Sequence, residues 1–412
     1  MRVLFLTHYF HPEGNAPATR VTELTRRWVA AGHDVTVVTG VPNVPDGVVY
    51  EGYRNRPLQR ERREGVDVIR VWTYLAPNKG TARRILNFVS YMLTAALAGL
   101  CVRRPDVVIA TSPQFFCGWA GVLVSRARGL PFVLEIRDLW PESIEAVGAM
   151  RNRRLLRFLE WLERKMYAAA SRIVTVGEGY RGKLVGKGVD PARIDVIPNG
   201  VDLEAFLAGA DGAKVRERYG LGERFVCAYL GTIGMGCGLD VVLRAARRLR
   251  EAGRDDVRFL LVGDGAVREE LESQARSEGL SQVVFTGRQP KASMPEFLAA
   301  ADACLVHLTR TELFKTVLPS KIFEAAAMRK PIVLGVEGFA AELVAGARAG
   351  LCIEPENEAD LLAAVDRLAA DPALARGLGD AGRDQIAARY SYDRLAVEYA
   401  ERLASLSATS RR

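Results

Sequence analysis

Short apolar runs alternate along the whole chain with longer stretches in which apolar positions recur every three to four residues. The runs are strand-sized and rich in Val, Ile, Leu and Phe, and they lack the strict in–out alternation of a half-exposed sheet. They therefore predict strands buried on both faces. In the first half they fall at residues 3–7, 35–39, 66–72, 107–110, 132–136, 173–176 and 194–197. In the second half they fall at 225–230, 257–262, 283–286, 303–306, 332–334 and 350–353. Strands that alternate with amphipathic helices predict parallel α/β units rather than hairpins. Both halves open alike, with a buried strand, a Gly-containing loop and a helix: MRVLFLTHYFHPEGN in the first and FVCAYLGTIGMGCG in the second. The expected fold class is α/β, two Rossmann-like lobes with parallel sheets, each taking ligands at the carboxyl edge of its strands. The boundary falls between residues 199 and 224, where Gly209, Ala210, Asp211, Gly212 and Gly222 interrupt the periodicity. This gives domains 1–200 and 201–412, with a last helix over 392–406 that folds back on one lobe or the other.

Composition narrows the class. A chain of 412 residues with 49% apolar and 26% charged residues is long enough for two cores and has no tract biased toward disorder. The six cysteines, at 101, 117, 227, 237, 304 and 352, form no CxxC and have no His at zinc spacing, so reduced thiols and no metal site are expected. The first apolar run is too short for the core of a signal peptide, which points to a cytoplasmic protein. The longest apolar stretch, residues 85–101, contains Asn87, Ser90, Tyr91 and Thr94 and falls short of a spanning helix. It is expected as a core helix, or as one that touches a membrane or lines an acceptor site. Residues 1–200 hold 29 Lys and Arg against 18 Asp and Glu, a net of +11, which leaves −3 of the chain's +8 for residues 201–412. A basic first lobe suits a phosphorylated ligand or anionic lipid, or is simply a solvated Arg-rich surface. Aromatics are not interleaved with its cations as in RNA-binding surfaces, so no nucleic-acid partner is expected.

Two segments carry candidate chemistry. Gly231-Thr232-Ile233-Gly234-Met235-Gly236 follows a strand and precedes a helix starting near Leu239, so its amides are placed to cradle a phosphate; a tight structural turn would look the same. The acid expected about 20 residues on for a dinucleotide's ribose is missing, the first candidate being Asp264. Further on, Pro319-Ser320 marks a helix start, with Lys321 in the first turn and Glu324 one turn later on the same face. Lys offers a point charge to phosphate and the carboxylate accepts from a ribose diol, unless the two form an ordinary capping pair. His8 and His11 bracket the end of the first strand, and a structural or acceptor-loop role is expected of them before a metal pair. His307 with Arg310 faces a ligand site or is a satisfied buried histidine.

The run TVLPSKIFEAAAMRKPIV, with MRVLFLTHYFHPEGNAPATRVTELTRRWVAAGHDVTVVTG, LEIRDLWPES, VIPNGVD and LLVGDG, resembles the retaining glycosyltransferases of family 4, over nearly the whole chain. Within them it is most similar to the N-acetyl-L-fucosaminyl- and colanic-acid-type transferases of bacterial surface polysaccharide synthesis. The resemblance implies the GT-B fold, with the lobes facing a central cleft. It implies transfer of a hexosyl or N-acetylhexosaminyl unit from a nucleotide sugar, a UDP-sugar before a GDP-sugar, to a lipid-linked or oligosaccharide acceptor with retention. No cofactor is implied, since the nucleotide sugar is a substrate, and metal independence is expected. Glu324 would bind the donor ribose as the second acid of the family's paired-glutamate motif. Gly14 from the first lobe and Gly231, Thr232 and Gly234 from the second would approach the pyrophosphate. Arg288 and Gln289 would pass the nucleobase with backbone groups, and Ser320 and Lys321 would face the phosphates.

The departures from the pattern locate what is particular to this chain. The first acid of the glutamate pair is Thr316, the cations usual in the 231–238 loop are replaced by Thr232 and by Cys237 or Gly238, and the usual His after the strand at 132–136 is Arg137, followed by Asp138. A departing nucleoside diphosphate needs positive charge, so Lys321, Arg137 and Arg20 are expected to supply it. Asp138 is the candidate for a polar group beside the reacting sugar, or else a structural ion pair or cap. An epimerase or phosphorylase of the same fold, and a non-catalytic sugar-nucleotide-binding protein, are the rival readings. Peripheral contact with anionic membrane through 85–101, flanked by Arg83, Arg84, Arg103 and Arg104, is expected if the acceptor is carried on lipid.

Overall fold

A computed structural model describes residues 1–412 except 45–46, 77–80, 113–114, 141–151, 208–209 and 410–412, so Gly209 and the Pro141-Glu142-Ser143 end of the LEIRDLWPES run lie outside the described residues. The chain divides into two compact units, Met1–Pro198 with Asp393–Arg412, and Asn199–Tyr392.

The first unit is built on an eight-stranded sheet: β1 (Arg2–Leu6), β2 (Asp34–Thr39), β3 (Leu58–Arg63), β4 (Val66–Val71), β5 (Val107–Thr111), β6 (Phe132–Ile136), β7 (Arg172–Thr175) and β8 (Ile194–Val196). The order is β3-β4-β2-β1-β5-β6-β7-β8, and every described pairing is parallel except β3 with β4. β3 is the one strand the apolar pattern missed. Its sequence LQRERR is an edge strand's, charged and mostly exposed, and edges are kept polar because their unpaired side would otherwise recruit other chains.

Chain direction decides which face each helix covers. The step from β1 to β2 runs one way across the sheet, and the steps β4 to β5, β5 to β6 and β6 to β7 run the other way; right-handed crossovers then put their helices on opposite faces. Helix α1 (Ala16–Ala30) covers one face, with Val21, Leu24 and Trp28 buried and Asn15 capping it through a 2.9 Å bond from the Ala18 amide. Helices α2 (Thr81–Cys101), α3 (Phe115–Arg128) and α4 (Arg153–Ala169) form the layer on the other face, α2 packed along α3 and α3 against α4, and the short α5 (Glu178–Gly186) follows β7. The terminal helix α8 (Tyr392–Thr409) lies on α1: Trp28 Nε1 donates to the Ala396 carbonyl at 2.9 Å and its ring meets Tyr399 edge-on at 5.3 Å. Among the described helices α2 alone is long and apolar enough to cross a membrane, yet Phe88, Tyr91, Ala95 and Ala98 are buried in the core of this unit.

The second unit has six parallel strands: β9 (Phe225–Leu230), β10 (Val257–Val262), β11 (Val283–Gly287), β12 (Ala303–His307), β13 (Ile332–Gly335) and β14 (Gly350–Cys352), in the order β11-β10-β9-β12-β13-β14. Apolar clusters fill both faces. In each unit the chain reverses its direction across the sheet, between β1 and β5 in one and between β9 and β12 in the other. A crevice opens at such a switch point outside the carboxyl ends of the strands, because the neighbouring connections diverge to opposite faces. The loops after β1, β9 and β12 are thereby singled out for ligands.

Candidate functional site

In the second unit the loop after β9 runs from Gly231 to Leu239 and enters helix α6 (Asp240–Glu251); helix α7 (Lys321–Ala327) follows a 3₁₀ turn at Phe314–Thr316. Gly231 adopts φ 129°, and a Cβ there would lie 2.8 Å from Lys321 Cε and 3.0 Å from its Nζ. Only glycine combines that backbone with room for the lysine. The Lys321 ammonium sits 4.8 Å from the centroid of the Tyr229 ring. Among the described residues it makes no hydrogen bond and no ion pair, and its burial holds its pKa below the ordinary lysine range. The Tyr229 hydroxyl in turn donates to the Thr232 carbonyl at 2.6 Å and lies 3.1 Å from Cys237 Sγ, which fixes the ring beneath the ammonium. Tyr229 was not found from the sequence, where it is one apolar position in a buried strand.

Glu324 is one turn from Lys321 on α7, and burial raises its carboxyl pKa, against the pull of Lys291 and Lys321. Ser320 stands before the helix without a capping bond from its side chain. The Thr316 hydroxyl donates to the Leu313 carbonyl at 2.8 Å and brings no charge. Gly236 abuts this turn, since a Cβ on it would be 2.9 Å from Phe314 Cζ; Gly234 precedes the short 3₁₀ turn Met235–Cys237 in which Gly236 lies. Below the loop, Gly263 (φ 139°) presses against Gly231, with a Cβ only 1.9 Å from the Gly231 carbonyl, so the LLVGDG run is a packing device for the phosphate-type loop. Asp264 is engaged by Arg268 at 2.9 Å and faces Arg288 at 3.9 Å. Gln289 donates to the Thr286 carbonyl at 2.8 Å and to Tyr219. Gly231, Thr232, Gly234, Thr316, Ser320, Lys321 and Glu324 thus gather around the ends of β9 and β12, with Arg288 and Gln289 beyond β11.

His307 is a satisfied buried histidine. Its Nδ1 lies 2.7 Å from the Cys237 carbonyl and its Nε2 accepts from the Glu356 amide at 2.9 Å, the neutral tautomer, and burial lowers its pKa. Arg310 is paired with Glu337 and Glu354. Both side chains are engaged by groups of their own unit.

In the first unit Gly14 is exposed in the loop after β1, and a Cβ would meet nothing there within 4 Å, so local packing does not call for glycine at this position. Its neighbour Glu13 is buried, with Oε1 accepting from the amides of Asn43 (3.1 Å) and Val44 (3.2 Å). Burial raises its pKa to about 7 in spite of those bonds. Arg137 and Asp138 follow β6, held by Ser112 at the end of β5, whose hydroxyl accepts from the Arg137 amide at 2.8 Å. Asp138 lines a small pocket with Ser112, Phe115, Leu134, Trp140 and Glu163. Burial, and then the Asp138 charge, push the nearby Tyr180 hydroxyl up to about 12. Ser112 was also missed, a small polar residue after a strand having many uses.

Arg20 corrects the sequence reading. It is fully buried, with Nε 3.2 Å from Glu135 Oε2 and its other nitrogens donating to the carbonyls of Ile197 and Pro198, while Thr111 completes Glu135 at 2.9 Å. It is a structural cation with no charge to spare for a diphosphate. His8 is buried against Tyr9, Phe88 and Tyr91, which lowers its pKa to about 3, and the His11 carbonyl accepts from Arg70. Among the described residues no three His, Cys, Asp or Glu side chains are grouped to hold a metal ion.

Comparison with known proteins agrees with this geometry. A model for the glycosyl transferase 4-like domain matches residues 15–200 and one for glycosyl transferases group 1 matches residues 213–385. The chain is 26% identical to the putative colanic acid biosynthesis glycosyl transferase WcaI of Escherichia coli K12 over 89% of its length and 91% of the relative's. It is 34% identical to the GDP-mannose-dependent alpha-(1-6)-phosphatidylinositol monomannoside mannosyltransferase of Mycolicibacterium smegmatis over 47% of this chain and 51% of that one. Among solved structures it shares the fold of sucrose-phosphate synthase from Thermosynechococcus elongatus (TM-score 0.74, 18% identity, 99% of both chains). It shares it also with Anabaena HepE in complex with UDP-glucose (TM-score 0.73, 19% identity, 98% of this chain and 100% of that one). Two parallel-sheet lobes with ligand loops at both switch points, matched by both domain models, place the chain in the family 4 glycosyltransferases with the GT-B fold.

Proposed function

We propose that this glycosyltransferase moves a hexosyl or N-acetylhexosaminyl unit from a nucleotide sugar, a UDP-sugar by preference, to a lipid-linked or oligosaccharide acceptor, with retention at the anomeric carbon and without a metal ion. The setting is bacterial surface polysaccharide synthesis at the cytoplasmic face of the membrane, as the likeness to WcaI supports. The observation that carries the reading is Lys321: a partly desolvated ammonium laid over a glycine loop at a switch point, with no direct ion pair among the described residues. Such a charge is stabilised by a diphosphate, and most strongly when the glycosidic bond breaks and negative charge collects on the leaving group.

In this reading Gly231, Thr232, Gly234 and Ser320 present backbone and hydroxyl donors to the pyrophosphate with Lys321, and Gly14 is a further donor-binding residue. Glu324 accepts from the ribose diol, its carboxylate form favoured once a nucleotide's hydroxyls donate to it. Arg288 and Gln289 present backbone groups to the base. Thr316, in place of an acid, offers a single hydroxyl to the sugar. Asp138 and Arg137 orient the acceptor or the reacting sugar, and the departing diphosphate takes the acceptor's proton on the same face. Positioning and leaving-group stabilisation do most of the work, and no covalent nucleophile is needed.

The similar proteins divide over the base: the mycobacterial relative is GDP-mannose-dependent, and the HepE structure holds UDP-glucose. A thermal-shift panel of UDP, GDP, ADP and dTDP with their sugars, run with and without EDTA, tests the reading. A ligand at about 100 times its Kd stabilises by roughly 2.7 kcal/mol. We expect the UDP series to give the largest shift, unchanged by EDTA. A panel in which no nucleotide shifts the transition overturns the transferase reading, and a shift that needs added Mn²⁺ overturns metal independence.

A further inference from the structure

The layer α2–α3–α4 carries apolar side chains on its outer side as well as its inner one. On α2, Leu86, Leu93, Leu97 and Leu100 are exposed at helical spacing, Leu97 by 65%; on α3, Leu123 is exposed; on α4, Leu155, Phe158 and Trp161 are exposed, Phe158 by 52%. These are not the positions that pack the core, where α4 uses Leu156, Leu159 and Met166. Because the three helices follow crossovers to the same face of the sheet and pack in the order α2, α3, α4, their outward strips lie side by side on one surface. Scattered exposed apolar residues are ordinary, but a contiguous set spanning three helices marks a contact surface.

Charge selects the partner. On α4 the side chains of Arg153, Arg154, Arg157, Arg164 and Lys165 are all exposed, and none of them forms an ion pair among the described residues. The acids of this helix do not offset them: Glu163 is buried and held by Lys187 at 2.9 Å and by Tyr167, and Glu160 alone reaches partway to the surface. Phe158 and Trp161 stack at 6.0 Å, and the Lys165 ammonium lies 5.8 Å from the Trp161 ring. Aromatic rings set in an apolar strip and rimmed by unneutralised cations match the boundary of an anionic bilayer, where the rings enter the interface and the cations meet headgroup phosphates. A protein partner or a second copy would have to present a matching acidic rim. The second copy cannot, because this face is basic in every copy.

We propose that the outer face of this helical layer docks on an anionic membrane, with Phe158 and Trp161 of α4 as its anchor and the α4 cations as its electrostatic hold. The inference rests on the lipid-linked acceptor proposed above, and it moves the centre of the contact from the flanks of α2 to α4, a helix in which the sequence pattern shows one amphipathic stripe and hides the other.

Co-sedimentation of the full chain with phosphatidylcholine vesicles, with and without phosphatidylglycerol, tests it at low and high salt. Wild type is expected to bind the anionic vesicles at low salt, to be released as salt rises, and to bind phosphatidylcholine alone poorly. Each cation near the surface contributes roughly fivefold. The variant Arg154→Gln/Arg157→Gln/Arg164→Gln/Lys165→Gln should lose at least tenfold in affinity, and Phe158→Ser/Trp161→Ser should lose binding at every salt. Binding by both variants equal to wild type, wild-type binding equal on neutral vesicles, or no wild-type binding overturns the proposal. So does a wild-type dimer in solution that Phe158→Ser/Trp161→Ser converts to monomer. The nucleotide-induced thermal shift of each protein separates the two readings. A preserved shift with no vesicle binding removes only the docking face, and a wild type that binds vesicles but no nucleotide removes only the transferase.

Discussion

Glu13 gives the sharpest test of the energetics, because one buried carboxyl in the loop that carries Gly14 titrates near neutrality. Its pKa is raised from 4.5 to about 7, by burial first and against the amide bonds from Asn43 and Val44. A carboxyl with a raised folded pKa contributes stability that is fully present below the unfolded value and is lost as pH rises through the folded one. Its contribution therefore falls across the window from 4.5 to about 7. At 1.36 kcal/mol per unit, carrying the protein from about pH 5 to about pH 8 removes roughly 2.5 kcal/mol. Glu13→Gln keeps an oxygen to accept from the two amides and removes the titration. Its stability relative to wild type should thus rise by about 2 to 3 kcal/mol over that pH change, whatever constant cost its buried amide nitrogen adds. His8, whose pKa is lowered to about 3, titrates in both proteins and cancels in the difference. The assay is urea denaturation followed by tryptophan fluorescence. All five tryptophans (Trp28, Trp72, Trp119, Trp140 and Trp161) lie in the first unit, so the signal reports the lobe that contains Glu13. A stability difference between the two proteins that does not change with pH would show that Glu13 is ionised as in water and would refute the argument.

Three further variants separate site from scaffold. Lys321→Met should weaken UDP by about 1.5 to 3 kcal/mol while leaving uridine affinity nearly unchanged, since a point charge acts on phosphate, and Glu324→Ala should weaken both ligands; calorimetry showing equal losses of UDP and uridine in the lysine variant would make Lys321 structural. Arg20→Met should destabilise the first unit by about 3 to 5 kcal/mol, because it leaves Glu135 buried without its partner. If Arg20 were a diphosphate ligand instead, the same variant would lose UDP affinity and keep its urea midpoint.

How far the chain could be read before folding depended on whether the information was local. Thirteen strands followed from apolar runs, because a strand buried on both faces must be apolar along its whole length, and their alternation with helices was enough for two parallel-sheet lobes. The glycine loop after β9 and the Pro-Ser-Lys helix start were legible for the same reason, each being a short run with its own backbone requirement. β3 was not, because an edge strand has no buried stripe to betray it. Function divided in the same way. Lys321 and Gly231 could each be named from the sequence, but their apposition, and the Tyr229 ring beneath the ammonium, exist only where β9 and β12 part at the switch point. Arg20 looked like an available cation because a sequence shows charge and not its partner. Glu135 is 115 residues away, and burial of both is what commits the pair to the scaffold. His307 was undecided until the Cys237 carbonyl and the Glu356 amide closed on its two nitrogens. Helix periodicity likewise says which side of α4 faces a core but cannot say what stands opposite the other side. Sequence determined the elements and the residue types offered to a ligand; folding decided which charges were neutralised and which were left facing solvent, since only packing brings distant partners within the few ångströms over which a charge is satisfied.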